Sequence, residues 1–286
     1  MQLKRGNPGA TSTARTASNQ PMLKTTYEDS GIHDRWRSIY RNNPRLDHLN
    51  DRIMDRMLHY LAPPAGALFL DAGCGTGEHS IRIAQRGYEC FSVDVSETVL
   101  RQAEKKIQQQ AQGSKVHLSC QALENLSFAE NTFDCVHCRG VLMHIPDWQA
   151  ALASLCRVLK PAGKIVIVES SKASLDAIVV RLVRLVMKRQ SRLVETPGGL
   201  EFWSEIKGSP FLVRIANIDY LVRQLNASGV RLKKSFTTEF LGIGRVPAGI
   251  VRNSVITGNR LCFALHFPSS LSNGVALIGE KLPVSN

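Results

Sequence analysis

Leu68-Phe69-Leu70-Asp71-Ala72-Gly73-Cys74-Gly75-Thr76-Gly77 reads as a buried strand that runs straight into a glycine-rich turn, with a helix starting near the last glycine. The glycines let the backbone approach a ligand and take dihedrals that a Cβ forbids. The helix start offers unpaired N–H groups at the same place. Outward from this segment, short apolar runs at 67–70, 90–93, 116–120, 135–138 and 165–168 alternate with helical stretches at 78–86, 97–112 and 147–159. Buried strands without polar alternation, joined by helices, imply a parallel sheet covered on both faces. The expected fold class is therefore α/β.

The loop does not fit the commoner phosphate-binding fingerprints. G-x-G-x-x-G would place its third glycine at position 78, where Glu78 stands, and no Gly-Lys-Ser/Thr follows for a Walker loop. An acid at a helix start disfavours pyrophosphate, which needs that end free of negative charge. It is harmless to a ligand carrying a sulfonium and an amino group. The second strand ends at Asp94, 21 residues beyond Gly73, where a carboxylate can accept from two ribose hydroxyls. Asp94 could instead cap the next helix, although Ser96 is better placed for that.

The chain has 286 residues, 43% hydrophobic and 21% charged, enough for one α/β domain with appendages and against global disorder. No apolar run approaches the length of a membrane span. Seven cysteines, an odd number, without an apolar leader point to a reducing compartment, so a cytoplasmic location is expected. Of the net charge of +12, residues 1–64 carry +4, residues 65–164 carry none and residues 165–286 carry +8. The flanks hold the entire excess. Residues 1–26, rich in Ser, Thr, Gly and Pro, are expected to be a disordered tail, and their acid-poor, Arg-containing composition is also that of an organelle transit segment. Residues 27–286 are expected to form one domain.

Asp71-Ala-Gly-Cys-Gly-Thr-Gly77 resembles motif I of class I S-adenosylmethionine-dependent methyltransferases. Phe91-Ser-Val-Asp94-Val-Ser96, Glu124-Asn-Leu-Ser-Phe128, Val141-Leu-Met-His144-Ile-Pro-Asp147 and Arg157-Val-Leu-Lys-Pro161-Ala-Gly163 resemble the later motifs, in family order over residues 65–170. The subgroup is that of small-molecule enzymes similar to ubiquinone/menaquinone C-methyltransferases. The resemblance implies a Rossmann-like, seven-stranded, mostly parallel sheet with helices on both faces and strand seven antiparallel, and S-adenosylmethionine as methyl donor. It implies that Asp71, Gly73, Gly75 and Gly77 shape the methionine side of the donor pocket. Asp94 would bind the ribose hydroxyls, with Val95 beside the adenine. Leu123 would offer its N–H to the adenine ring, and Cys138 would lie near the methionine amino group. Two departures are visible: Ala122 stands where the family often has an acid for the adenine amine, and Pro161-Ala-Gly163 replaces Pro-Gly-Gly.

A sulfonium methyl needs little activation, so positioning alone can supply much of the rate. His144, just beyond strand four, is a candidate general base, or else a structural loop histidine. Arg139, at the end of the same strand, either orients an acidic acceptor or is an ordinary surface arginine. Cys135-Val-His137-Cys138 resembles half a metal site, but strand alternation points the two sulfurs oppositely, so no metal is expected. His79 reads as a local helix-end residue.

Acceptor choice is expected to lie in cap elements at 27–64, 171–216 and 241–273. Residues 174–195 read as an amphipathic helix, with Leu175, Val179, Leu182 and Val186 on one face and Arg181, Arg184, Lys188 and Arg192 on another. Such a helix packs on the sheet, lies on an anionic membrane surface, or docks an acidic acceptor. Asn217 should cap a helix at 218–228, with strand six at 230–238 and strand seven at 275–280. A helical insertion at 241–273 would roof the pocket. Trp36, Tyr40, Phe202 and Trp203, the last two in a loop at 195–210, would line it. The expected activity is methyl transfer to a small, apolar, lipid- or quinone-like acceptor. The alternatives are a nucleic-acid or membrane-surface binding protein that retains the fold, or an RNA methyltransferase. Nucleic acid is disfavoured because strand four is followed by Cys138-Arg-Gly-Val rather than Asn/Asp-Pro-Pro-aromatic, and the basic residues are not interleaved with aromatics.

Overall fold

A computed structural model describes residues 26–29, 31–33, 36, 39, 43–179 and 193–283. Most of the expected tail, Tyr40, and the basic stretch from 180 to 192 lie outside the described residues. Thr26, assigned to the tail, is instead buried, and its hydroxyl donates to the Pro210 carbonyl at 2.8 Å.

Helix α1 (Pro44–Leu61) begins at Asn43, whose side chain accepts from the Arg45 N–H, with Pro44 in the first helical position. The sheet is then built from β1 (Leu68–Ala72), β2 (Glu89–Asp94), β3 (Val116–Cys120), β4 (Phe133–Arg139) and β5 (Leu159–Ser170). These strands are parallel to one another. Helices α2 (Glu78–Gln85), α3 (Glu97–Ile107) and α4 (Trp148–Val158) provide three of the crossings. Ser96 caps α3 through Val99 N and Asp147 caps α4 through Ala150 N. Ser96, not Asp94, therefore does the capping, which leaves the Asp94 carboxylate for the site.

Past β5 come β6 (Leu193–Thr196), β7 (Gly199–Ile206) and β8 (Ser209–Ala216), which pair antiparallel into a separate three-stranded sheet. This corrects two expectations. Residues 195–210 are not a loop, and the end of the expected helix at 174–195 is strand. Helical structure is described only at 175–179 of that stretch. The hairpin closes through Lys207 and Gly208, both at positive φ (50° and 78°), the two-residue turn whose twist suits paired strands. Helix α5 (Ile218–Ala227), β9 (Val230–Glu239), α6 (Ile250–Ala264) and β10 (Gly274–Lys281) complete the chain. The main sheet runs β3-β2-β1-β4-β5-β10-β9, with β10 antiparallel to both neighbours, as the family resemblance implies.

One apolar cluster packs each face of this sheet. Leu70, Val136, Ile165, Ile167 and Leu277 face α4 and α5, whereas Phe69, Cys135, Val166, Val168 and Ile278 face α1 and α6. Cys135 and Cys138 fall in different clusters, so their sulfurs do point oppositely. No group of residues able to hold a metal occurs among the described residues.

α1 is tied down by Arg82 of α2, which bonds Asp51 at 2.8 Å and Asp47 at 3.2 Å while itself mostly buried. Arg82→Leu should cost about 1–3 kcal/mol, the range for a lost charged hydrogen-bond pair. Urea unfolding should show a lower midpoint with an unchanged slope; an unchanged midpoint would mean that the Arg82 pairs do not help to hold α1.

Candidate active site

A cleft of about 1170 Å³ opens over the carboxyl ends of the central strands, between α1, the N-terminal segment, the β7–β8 hairpin and the turn after β9. Parallel-sheet proteins bind ligands at this edge.

One half is formed by the glycine turn and the end of β2. Gly73 and Cys74 donate their N–H groups to the Val93 carbonyl at 2.8 and 2.9 Å, folding the turn back on β2. Gly73 has φ 72°, and a Cβ there would stand 2.4 Å from Val141 Cγ2. Asp94 accepts from Gly75 N–H at 2.9 Å and from Ser96 N–H at 3.1 Å. Burial raises its carboxyl above the ordinary range, against those backbone donors. Val95, Ala122 and Leu123 line this half, and Glu124, two residues past Ala122, joins them.

Three expected residues act differently from their assigned places. Gly77 does not line the cleft. It begins α2 at φ 80°, and a Cβ there would press on Ala103 of α3 at 3.3 Å, so it serves helix packing. Cys138 is fully buried in the α4-side core, and its neighbours His137 and Arg139 line the cleft instead. Asp71 does line it, but its oxygens are engaged by Ser80 Oγ–H at 2.6 Å and by His137 Nδ1 at 2.8 Å.

The other half is aromatic. The N-terminal segment is strapped across the cleft by Glu28, whose carboxylate accepts from the Glu97 and Thr98 N–H groups at 3.0 Å, at the start of α3. Burial works to raise the Glu28 carboxyl, and the hydrogen bonds from Thr98, Glu97 and Ser96 outweigh it and hold it low. Lys207 pairs with Asp29 at the other end. The strap sets Tyr27 and Trp36 beside His144 and Phe211, with ring centres 5.3 Å (Trp36–His144) and 5.4 Å (His144–Phe211) apart. Trp36 thus lines the cleft as expected, whereas Phe202 packs against Ala177, Leu200 and Ile215 and neither it nor Trp203 reaches the cleft. Strand alternation turns Phe211 and Val213 of β8 inward instead.

The turn that carries His144 is clasped by Arg214, buried on β8, which donates to the carbonyls of Leu142 (2.9 Å) and Ile145 (3.0 Å) and pairs with Glu201. Glu169, at the end of β5, accepts from Leu142 N–H at 3.0 Å, and burial raises its carboxyl to about 7. His144 Nδ1 faces the Leu212 carbonyl at 2.8 Å. The proton therefore sits on Nδ1, and Nε2 is left with its lone pair. Burial, with Arg214 nearby, pushes His144 down to about 4.

Residues 70–167 match the family model described as "Methyltransferase domain". A demethylmenaquinone methyltransferase of Lysinibacillus sphaericus is 32% identical over 164 residues, covering 54% of this chain and 67% of the relative. One from Bacillus licheniformis is 30% identical over 153 residues, covering 51% and 65%. The chain belongs to the class I S-adenosylmethionine-dependent methyltransferases. Within them it is of the ubiquinone/menaquinone C-methyltransferase-like group, and the match spans about two thirds of those relatives' length. Its fold is also that of the magnesium protoporphyrin IX methyltransferase from Synechocystis with bound S-adenosylhomocysteine (TM-score 0.61, 18% identity, 92% of this chain and 99% of that one).

The glycine turn and Asp94 fit the family's donor. Gly73 and Gly75 bring bare backbone to the cleft wall as a cradle, where a Cβ on Gly73 would run into Val141, and the Asp94 carboxylate keeps lone-pair capacity beyond its backbone donors. When bound, S-adenosylmethionine supplies a methyl group already activated by its sulfonium charge.

Sequence reasoning missed Glu28, Phe211, Glu169, Arg214 and the unmetallated use of His137. Glu169 had one visible signal, an acid at the carboxyl end of an otherwise apolar strand. Phe211 had the two-residue period of its strand.

Gly73→Ala should weaken S-adenosylhomocysteine binding at least tenfold in calorimetry. Adding Val141→Ala should restore part of it by removing the clash, leaving about 1–2 kcal/mol of backbone cost at positive φ. Full affinity in the single variant would show that the turn is not the cradle. The pH dependence of stability gives a second check. As pH falls from about 6.5 to 4, unfolded chains protonate His144 before folded ones, so it destabilises. As pH falls from 7 toward 4.5, folded chains protonate Glu169 first, so it stabilises. The two oppose, and Glu169→Gln should unmask the His144 loss, making stability fall more steeply between pH 6.5 and 4.5, by on the order of 1–3 kcal/mol. An unchanged slope would remove Glu169 from this account.

Proposed function

We propose that this protein transfers the methyl group of S-adenosylmethionine to a small, largely apolar acceptor with a quinone-like, hydroxylated ring. The observation that carries this reading is the continuity of the cleft. A single space of about 1170 Å³ joins the glycine-turn half to the aromatic half formed by Tyr27, Trp36, His144 and Phe211. That exceeds the 300–1,000 Å³ or so of a single-ligand pocket. The demethylmenaquinone methyltransferase relatives support the ring chemistry. In this reading residues 65–170 hold the donor, and 27–64, 171–216 and 241–273 shape the acceptor side. The last contributes Gly242, Ile243, Gly244 and Asn259 to the cleft. The outer face of α6, with Ile250 85% exposed and Leu261 60% exposed, does not roof it.

The apolar acceptor also fits a peripheral membrane contact. Leu175, Ile178 and Val179 are exposed, as are Leu241, Ile250 and Val251. The helical turn at 175–179 is joined to the 241–244 turn by Asp176, which accepts from Gly242 N–H at 3.2 Å. These side chains offer an apolar rim near the cleft mouth, on the cytoplasmic face of a membrane. Among the described residues no helix is long and apolar enough to cross one.

Arg139, lining the cleft at the end of β4, orients the acceptor's oxygen. His144 receives a hydrogen bond at Nε2. A side chain that sheds its proton near pH 4 is neutral at working pH and a weak base, so its part is to position.

Asp94→Ala should weaken donor binding at least tenfold; unchanged affinity would sink the ribose assignment. His144→Ala should raise the acceptor KM several-fold and lower kcat less than tenfold, whereas a hundredfold loss of kcat at constant KM would show a base. The reading itself is tested by incubating the wild type with methyl-labelled S-adenosylmethionine and 1,4-naphthohydroquinone under reducing conditions. Labelled methylnaphthoquinol is expected, and donor binding without any labelled ring product from this or other hydroxylated rings would overturn it.

A further inference from the structure

His137 is 2% exposed on β4, the strand between the glycine-turn strand β1 and β5. Its Nδ1 lies 2.8 Å from Asp71 Oδ1, and the other Asp71 oxygen is held by Ser80 Oγ–H at 2.6 Å. Nδ1–H donates to the Asp71 carboxylate, and in the neutral ring this leaves the lone pair on Nε2. Nε2 is buried without a hydrogen-bond partner, in a residue that lines the cleft. Leaving such an atom unpaired costs about 1–3 kcal/mol, and a catalytic role is one of the few reasons for which native structures bear that cost. Asn50 Oδ1 of α1 is a second buried acceptor without a partner on the same cleft. Two unpaired acceptors ask for a ligand that donates hydrogen bonds.

The other charged or titratable groups around His137 are few. The His79 ring of α2 is 5.0 Å from it, centre to centre. Arg82 of α2 is engaged by Asp47 and Asp51 of α1, and Arg139 follows on β4. An imidazole oriented by a carboxylate, itself oriented by a hydroxyl, is the arrangement of a general base.

We infer that His137, oriented by Asp71, takes the hydroxyl proton of the acceptor during methyl transfer. The inference rests on the hydroxylated-ring reading above. The O–H bond breaks, its proton goes to Nε2, and its electron pair stays on oxygen and spreads into the ring. The ring's carbon or oxygen then forms the bond to methyl as the methyl–sulfur bond breaks, its pair going to sulfur. For a carbon acceptor the ring C–H proton afterwards moves to the oxygen, so one proton is left on His137 in either case. The positive charge lost at sulfur reappears on the imidazole beside the Asp71 carboxylate, and the net charge of the cleft does not change. Neither His144, with its low proton affinity, nor Arg139, permanently charged, can take this proton.

The experiment compares wild type and His137→Gln with methyl-labelled S-adenosylmethionine and 1,4-naphthohydroquinone from pH 6 to 9. S-adenosylhomocysteine affinity and thermal melting are measured alongside. The variant should lose at least a hundredfold in kcat, with donor affinity falling by about tenfold or less through the loosened tie to Asp71. Its residual rate should rise about tenfold per pH unit as the quinol ionises in solution, a dependence much steeper than that of the wild type. Wild-type turnover in the variant, or a donor affinity that falls as far as kcat does, overturns the inference while leaving methyl transfer standing. A wild type inactive on hydroxylated rings overturns the acceptor reading and this inference together. Should the variant not fold, histidine-¹⁵N-labelled wild type saturated with S-adenosylhomocysteine gives the answer: 1,4-naphthohydroquinone should shift the His137 Nε2 resonance, and a shift confined to other histidines overturns the proposal.

Discussion

The buried carboxylate of Asp71 is the constraint on which the site depends. A charge two per cent exposed at the end of a central strand costs several kcal/mol unless its lone pairs are used. Here one oxygen fixes α2 through Ser80 and the other fixes β4 through His137. The glycine turn between β1 and α2 is thereby stretched over the sheet edge in one conformation. A residue that motif reading assigns to the ligand thus spends both oxygens on the frame, and its effect on a ligand passes through what it holds.

Around that frame, each half of the cleft is set by a different kind of interaction. The donor half is fixed by backbone, with Gly73 and Cys74 on the Val93 carbonyl and Gly75 on Asp94. The acceptor half is fixed by side chains that come from distant segments: Glu28 at the start of α3, Arg214 on the turn carrying His144, and Asp29 on Lys207. Backbone-held parts vary little with side-chain substitution. Side-chain-held parts can be rebuilt by a few changes, which is how one donor-binding frame serves many acceptors.

That division also explains what could be read from the sequence. The parallel run of β1 to β5, the cap at Ser96 and the opposed cysteines follow from local periodicity and spacing, whereas the seven-stranded sheet with its antiparallel last strand follows from the family resemblance; all appear in the structure. The three-stranded sheet at 193–216 was missed because its strands are half-exposed, with Leu193 and Val194 outward and Glu201, Ser204, Glu205 and Arg214 interrupting the apolar residues, so no continuous apolar run marks them. Gly77 and Cys138 were given to the donor by motif position, but their burial against Ala103 and in the α4-side core is a tertiary fact. Tyr27, Phe211 and His144 meet across 184 residues of chain, and nothing local signals that meeting. His137 was weighed only as part of a metal site, since its partner Asp71 stands 66 residues earlier.

The central claim is that one cleft brings S-adenosylmethionine and an apolar, hydroxylated ring together. The most direct measurement is to incubate the protein with methyl-labelled S-adenosylmethionine and a whole-cell lipid extract, then partition the products between water and organic solvent. Label in the organic phase, on a single ring-bearing species, is the result this account predicts. Label confined to the aqueous phase, or none in either phase while S-adenosylhomocysteine binds one to one, would contradict it.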